Sequence, residues 1–136
     1  MARPEPGFIV IGTPASEYVS INITDRNPDG WLTGTLTLSA GPWAGTCRVS
    51  FYLGELRRFG EEVEKLHRDL IGSARLKPME PYLELELVGD GKGHVIVRGR
   101  AQDSLSSDGT FVAFELGLDQ TELPSIASAL RLADPN

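Results

Sequence analysis

Leu56-Arg-Arg-Phe59-Gly-Glu-Glu-Val63-Glu-Lys-Leu66-His-Arg-Asp-Leu70 is the stretch whose reading settles the architecture. Its apolar residues are spaced three, four, three and four apart, which keeps Leu56, Phe59, Val63, Leu66 and Leu70 on one face of a helix. Glu61–Lys65 and Glu64–Arg68 fall at i,i+4 on the wet side. Gly72 stands where such a helix would stop.

On either side of this helix the hydrophobic period drops to two, the signature of half-buried strands. Upstream, Phe8–Ile11 is a short apolar run, and Val19, Ile21 and Ile23 alternate with Ser20, Asn22 and Thr24. After the turn residues Asp25–Gly30, Leu32, Leu36 and Leu38 alternate with threonines; Gly41-Pro42 breaks that strand, and Cys47, Val49 and Phe51 face inward on the next. Downstream, Leu83, Leu85 and Leu87 alternate with Glu84 and Glu86, and Val112, Phe114, Leu116 and Leu118 form a last strand. Between them Val95 and Val97 follow the loop Gly89–Gly93, and a hairpin that keeps one apolar face sets Leu85 opposite Val95 or Val97. Glu84 or Glu86 then faces His94, Ile96 or Arg98 on the outside. A short terminal helix buries Leu123, Ile126, Ala127 and Leu130, with Thr121 as its cap and Pro124 in its first turn.

Short connections between neighbouring strands imply antiparallel pairing. The expected fold is therefore α+β: a strongly bent antiparallel sheet, or two sheets, of about eight strands packed on one central helix, with a short C-terminal helix. At 136 residues the chain suits a single domain over 1–136, with the proline-containing residues 1–7 as a loose N-terminal segment.

Composition narrows the function. With 40% hydrophobic and 24% charged residues the chain is ordinary for a folded domain. The single cysteine, Cys47, excludes an internal disulfide and suits a reducing compartment. Phe8–Ile11 is shorter than a signal-peptide core, and no run approaches the ~20 apolar residues of a membrane helix, so the expected location is the cytoplasm and no membrane partner is expected. A formal charge of −6, with basic residues interleaved among acids, argues against nucleic acid and suits a basic protein partner. A homodimer is compatible with the same composition.

Few residue sets suggest chemistry. Asp25-Arg-Asn-Pro-Asp-Gly30 opens like a calcium loop, with Asp25, Asn27 and Asp29 at alternate positions and glycine sixth. Its twelfth position is Leu36 where a bidentate glutamate is needed, so a hairpin turn is expected and no metal. Gly89-Asp-Gly-Lys-Gly93 leads into a strand, not a helix, and does not cradle phosphate. His67 and His94 have no local partner, Cys47 reads as an inert buried thiol, and no Gly-x-Ser-x-Gly elbow is present. Glu84 and Glu86 share one strand face, where a carboxylate pair and ordinary solvent-facing acids are both open readings. Trp31 follows the Asp-Gly turn and Trp43 follows Gly-Pro, both at strand ends, where tryptophan caps a core or anchors an interface. The binding candidates are thus Trp31, Trp43, Glu84 and Glu86; no catalytic residue and no cofactor is expected.

Several segments recur in a familiar order: Leu56-Arg-Arg-Phe59-Gly-Glu-Glu-Val63, Gly72-Ser-Ala-Arg-Leu76, Glu80-Pro-Tyr-Leu-Glu-Leu-Glu-Leu87, Gly91-Lys-Gly-His-Val95 and Phe114-Glu-Leu-Gly-Leu118-Asp-Gln-Thr-Glu-Leu123. From Trp31 to Leu130 the chain resembles the WapI-type immunity proteins and related small bacterial proteins. The resemblance implies an α+β fold and a non-enzymatic protein that neutralises a toxin by binding and occluding it. It brings no catalytic residues. A small-ligand binder, with an apolar pocket between sheet and helix, is the alternative.

Overall fold

A computed structural model describes residues 7–135. Eight strands form two four-stranded antiparallel meanders separated by the central helix. The first sheet runs in the order β1 (Phe8–Gly12), β2 (Tyr18–Arg26), β3 (Trp31–Ala40), β4 (Trp43–Tyr52). Helix α1 (Glu55–Asp69) follows, then β5 (Ile71–Leu76), β6 (Leu83–Asp90), β7 (His94–Gln102) and β8 (Phe111–Asp119) make the second sheet. A single 3-10 turn, Gln120–Glu122, leads into α2 (Leu123–Ala133). Of the two forms anticipated, the two-sheet form is the one adopted.

One continuous core joins the apolar faces of both sheets to both helices. Ile9, Ile11, Ile21, Leu36 and Phe51 come from the first sheet, Leu83, Leu87, Val97 and Leu116 from the second, and Phe59, Val63, Ile126 and Leu130 from the helices. Gly60 lets α1 and α2 cross closely: a Cβ there would lie 3.2 Å from the Leu130 Cβ. Within the second sheet Gly99 lies under the ring of its cross-strand partner Phe114, which leaves no space for a side chain.

Four details depart from the pattern reading. Helix α1 ends at Asp69, and Leu70 caps it in the left-handed region (φ 61), its amide bonding the Leu66 carbonyl at 2.8 Å. Leu70 thereby leaves the buried stripe and is exposed, and Gly72 belongs to β5. The reason is tertiary: the Leu70 carbonyl takes the Gly91 amide at 2.9 Å and sits where a Cβ on Gly89 would be only 2.7 Å away. In the β6–β7 hairpin Leu85 pairs with Gly99, not with Val95 or Val97, while Leu87 pairs with Val97. Facing is preserved; the register moves because Asp90 stays in the strand and accepts the amides of Lys92 and His94, closing the loop on residues 91–93. Thr121 does not cap α2, whose N-cap is Glu122 with no side-chain bond; the capping box belongs to the 3-10 turn before it, where the Asp119 carboxylate takes the Thr121 amide and hydroxyl and the Asp119 amide bonds Glu122. Finally, Gly7 is buried and its carbonyl accepts the Ile23 amide at 2.7 Å, so it is tied to the sheet; residues 1–6 of the expected loose segment lie outside the described residues.

Sheet edges are where a fold of this kind is vulnerable, because each carries a row of unpaired amides and carbonyls. Helix α2 packs along β1, and β8 lies against β1 and β3. Helix α1 covers β5, with Glu62 accepting the Arg75 amide at 3.0 Å. The N-terminal half of β4 is different: Trp43, Ala44, Gly45 and Thr46 are all exposed. Among the described residues no helix is long and apolar enough to cross a membrane.

Candidate functional site

The open end of β4 forms one wall of an apolar cleft between the two sheets. Antiparallel pairing sets Leu36 opposite Cys47, Leu38 opposite Gly45 and Ala40 opposite Trp43, so these six share the inner face. Gly45 contributes no side chain there, and a Cβ on it would meet nothing within 4 Å. The facing wall comes from the end of β7 and the start of β8: Ala101, Gln102, Asp103 and Thr110–Ala113. The cleft holds about 650 Å³. It lies between the sheets with no helical residue in its wall, whereas the sequence placed a pocket between sheet and helix.

Two exposed aromatic residues border it, Trp43 in the inward register of β4 and Phe111 in the outward register of β8, beside Arg100. Trp43 is 66% exposed and Phe111 54% exposed, unusual values for side chains of that size. The Arg100 guanidinium covers the Phe111 ring from 3.9 Å, a cation–π contact that holds the ring in place. The β3–β4 turn beside Trp43 is braced by Glu17, whose carboxylate accepts the Gly41 amide at 2.6 Å. The far rim is fixed by Asp103, which accepts the Thr110 amide at 2.8 Å and closes the loop between β7 and β8.

Cys47 is half-buried on the cleft wall, its thiol directed at the Gln102 carbonyl at 3.6 Å. Burial, and secondarily the Asp103 charge, pushes the thiol above its ordinary range. At neutral pH it is the protonated, unreactive form.

The four binding candidates separate in space. Only Trp43 reaches the cleft. Trp31 is half-buried at the other end of β3 and meets Tyr52 edge-on, ring centres 5.2 Å apart. Glu84 and Glu86 lie on the outer face of the second sheet, opposite Arg100 and Arg98. There they line a shallow depression of about 370 Å³ with Arg75, Lys77, Arg98 and Arg100. Arg75 bonds Glu86 at 2.8 Å and Arg98 bonds Glu115 at 3.2 Å, two surface ion pairs each worth ~1 kcal/mol or less.

The calcium-like segment forms the β2–β3 hairpin turn. The Asn27 side-chain oxygen accepts the amides of Asp29 (2.9 Å) and Trp31 (3.2 Å), the Asx arrangement that turns favour. His94, the exposed first residue of β7, lies 3.3 Å from Asp90 at the end of β6, and His67 is on the exposed side of α1. Among the described residues no three His, Cys, Asp or Glu side chains converge as a metal site would require.

Phe111, Arg100, Gln102 and Asp103 were not anticipated. One signal was present: Phe111 follows a Ser-, Asp- and Gly-rich loop just as Trp43 follows Gly41-Pro42.

A family model, the Immunity protein WapI-like family, matches residues 10–133, from β1 to the end of α2. The chain belongs to the WapI-like immunity protein family. A search of the curated proteins finds none that matches it. The WapI-like match embraces both sheets, both helices and every residue that lines the cleft, so the cleft is built wholly within the family's domain.

Proposed function

We propose that this WapI-like protein is an immunity protein that neutralises a toxin by binding and covering it, without chemistry of its own, and that Trp43 and Phe111 bordering the cleft anchor the contact. The observation that carries this reading is the exposure of both rings beside an apolar recess, since interface hot spots are aromatic side chains seated in or around pockets. The charge of −6 favours a basic partner and an association rate that falls as salt rises. The single cysteine, Cys47, cannot form an internal disulfide, which suits a reducing compartment such as the cytoplasm. The test is to co-express the chain with the product of its neighbouring gene. A stable complex and relief of toxicity are expected; turnover of a substrate by the purified chain, abolished by one polar substitution without loss of folding, would overturn the reading.

A second reading rests on the cleft's size. About 650 Å³ of mainly apolar recess falls in the range that holds small molecules. Under that reading an apolar dye would be displaced from the cleft by a small metabolite and not by a protein.

A further inference from the structure

We infer that the open edge of β4 is a strand-addition site: an extended segment of the toxin pairs with Ala44–Thr46 as a fifth strand of the first sheet. Its alternate side chains then drop into the neighbouring cleft. This rests on the immunity reading and specifies how the partner is held.

In a two-residue hairpin the flanking residues exchange both of their hydrogen bonds, here Ala40 and Trp43. The bonds of Trp43, Gly45 and Cys47 therefore address β3, and those of Ala44 and Thr46 point away from the sheet. Tyr52 confirms the phase: it is even-numbered like Ala44 and Thr46, and its outward amide goes to Glu55 at 2.6 Å. No such partner takes the amides of Ala44 and Thr46 among the described residues. The closing half of β4 is covered, Val49, Ser50 and Phe51 being buried.

Natural edge strands are blunted by proline, inward charges or a covering element. Trp43-Ala-Gly-Thr-Cys47 has none of the first two, whereas α2 and α1 supply the third along β1 and β5. The exposed stretch is also uncharged, so it places no electrostatic condition on a pairing backbone.

What would occupy it follows from the cleft. A strand presents residues i and i+2 to the same face about 7 Å apart, so two apolar side chains of an added strand enter the recess between Trp43, Leu38 and Val112. The occupant is an extended segment with apolar residues at alternate positions. A second copy of this chain is the less favourable occupant, because it would bring two molecules of charge −6 together.

The experiment uses the full chain and the product of the neighbouring gene. Thr46→Pro removes the outward amide at an edge position that tolerates proline, while Thr46→Ala removes only the side chain. Thr46→Pro is expected to keep its melting temperature and weaken the complex about ten-fold or more, with Thr46→Ala near wild type. Amide hydrogen exchange on the wild type gives an answer independent of any variant: Ala44 and Thr46 should exchange freely alone and become protected in the complex. A wild-type complex that leaves these amides unprotected, or that Thr46→Pro binds equally well, would overturn strand addition and leave the immunity reading standing. No wild-type complex at all would sink both. A dimer of the chain alone that Thr46→Pro dissolves would assign the edge to a second copy and contradict the proposal.

Discussion

The carboxylate of Asp134, just past the end of α2, accepts the amides of Gly54 at 2.7 Å and Arg57 at 3.2 Å at the start of α1. Gly54 stands at the N-cap of α1 without a side chain to cap it, and Asp134, fully buried, supplies the cap from 80 residues away. A carboxylate at a helix N-terminus satisfies orphan amides and meets the positive end of the helix dipole. The two helices are thus joined by polar bonds as well as by packing.

Replacing Asp134 by alanine leaves the buried Gly54 amide and the half-buried Arg57 amide without this partner. A loss of about 2 kcal/mol is expected in denaturant unfolding. Asp134→Asn keeps an acceptor and should lose less. Equal stability of Asp134→Ala and wild type would mean that the cap contributes nothing.

Phe59 is buried at the centre of the α1 stripe. Phe59→Ala should cost about 3–5 kcal/mol, a large part of a small domain's stability. A melting temperature unchanged by the substitution would show that the buried face of α1 has been misidentified.

How much of this was legible beforehand divides along local and long-range lines. The stripe Leu56–Leu66 and the alternations at Val19–Ile23 and Leu83–Leu87 depend only on neighbouring residues, and they gave the elements and their buried faces. Strand β5 escaped notice because only Ala74 and Leu76 point inward while Ile71 is exposed, leaving no clean alternation. The end of α1 was misplaced by two positions because a leucine, against its intrinsic preference, takes the left-handed cap over Gly89 and Gly91. Trp43 was singled out by its place after Gly41-Pro42, but the facing wall with Phe111 and Asp103 depends on how two sheets separated by a helix come together. Asp134 had no signal at all, since its partners lie 80 residues away.

Acid should weaken the protein through two carboxylates. Asp90 is held below its ordinary value of 3.8 by the amides of Lys92 and His94, then by the His94 ring. Asp119 is held below it by the amide and hydroxyl of Thr121. A carboxylate with a lower value folded than unfolded stabilises fully above the unfolded value and loses that contribution as pH falls through the folded one. The melting temperature should hold steady down to about pH 4 and then decline, less steeply in Asp119→Asn. The same decline in Asp90→Asn, Asp119→Asn and wild type would remove both groups from the account.

The Asp25–Gly30 turn should not bind calcium tightly. Its Asn27 oxygen is committed to two amides, and Leu36, at the position of the closing carboxylate, is buried in the core. Calorimetry at millimolar calcium should show no saturable heat. A micromolar Kd abolished by Asp25→Ala would contradict this.

The central claim is that the cleft mouth, and not the other tryptophan, meets the partner. The most direct measurement is calorimetric titration of the neighbouring gene's product with Trp43→Ala and Trp31→Ala, alongside their melting temperatures. Trp43→Ala should unfold like wild type and bind at least ~30-fold more weakly, the loss of a hot-spot anchor. Trp31→Ala, which strips the edge-on contact with Tyr52, should lower the melting temperature and leave Kd nearly unchanged while the protein is folded. Wild-type affinity in Trp43→Ala, with the loss confined to Trp31→Ala, would contradict the account.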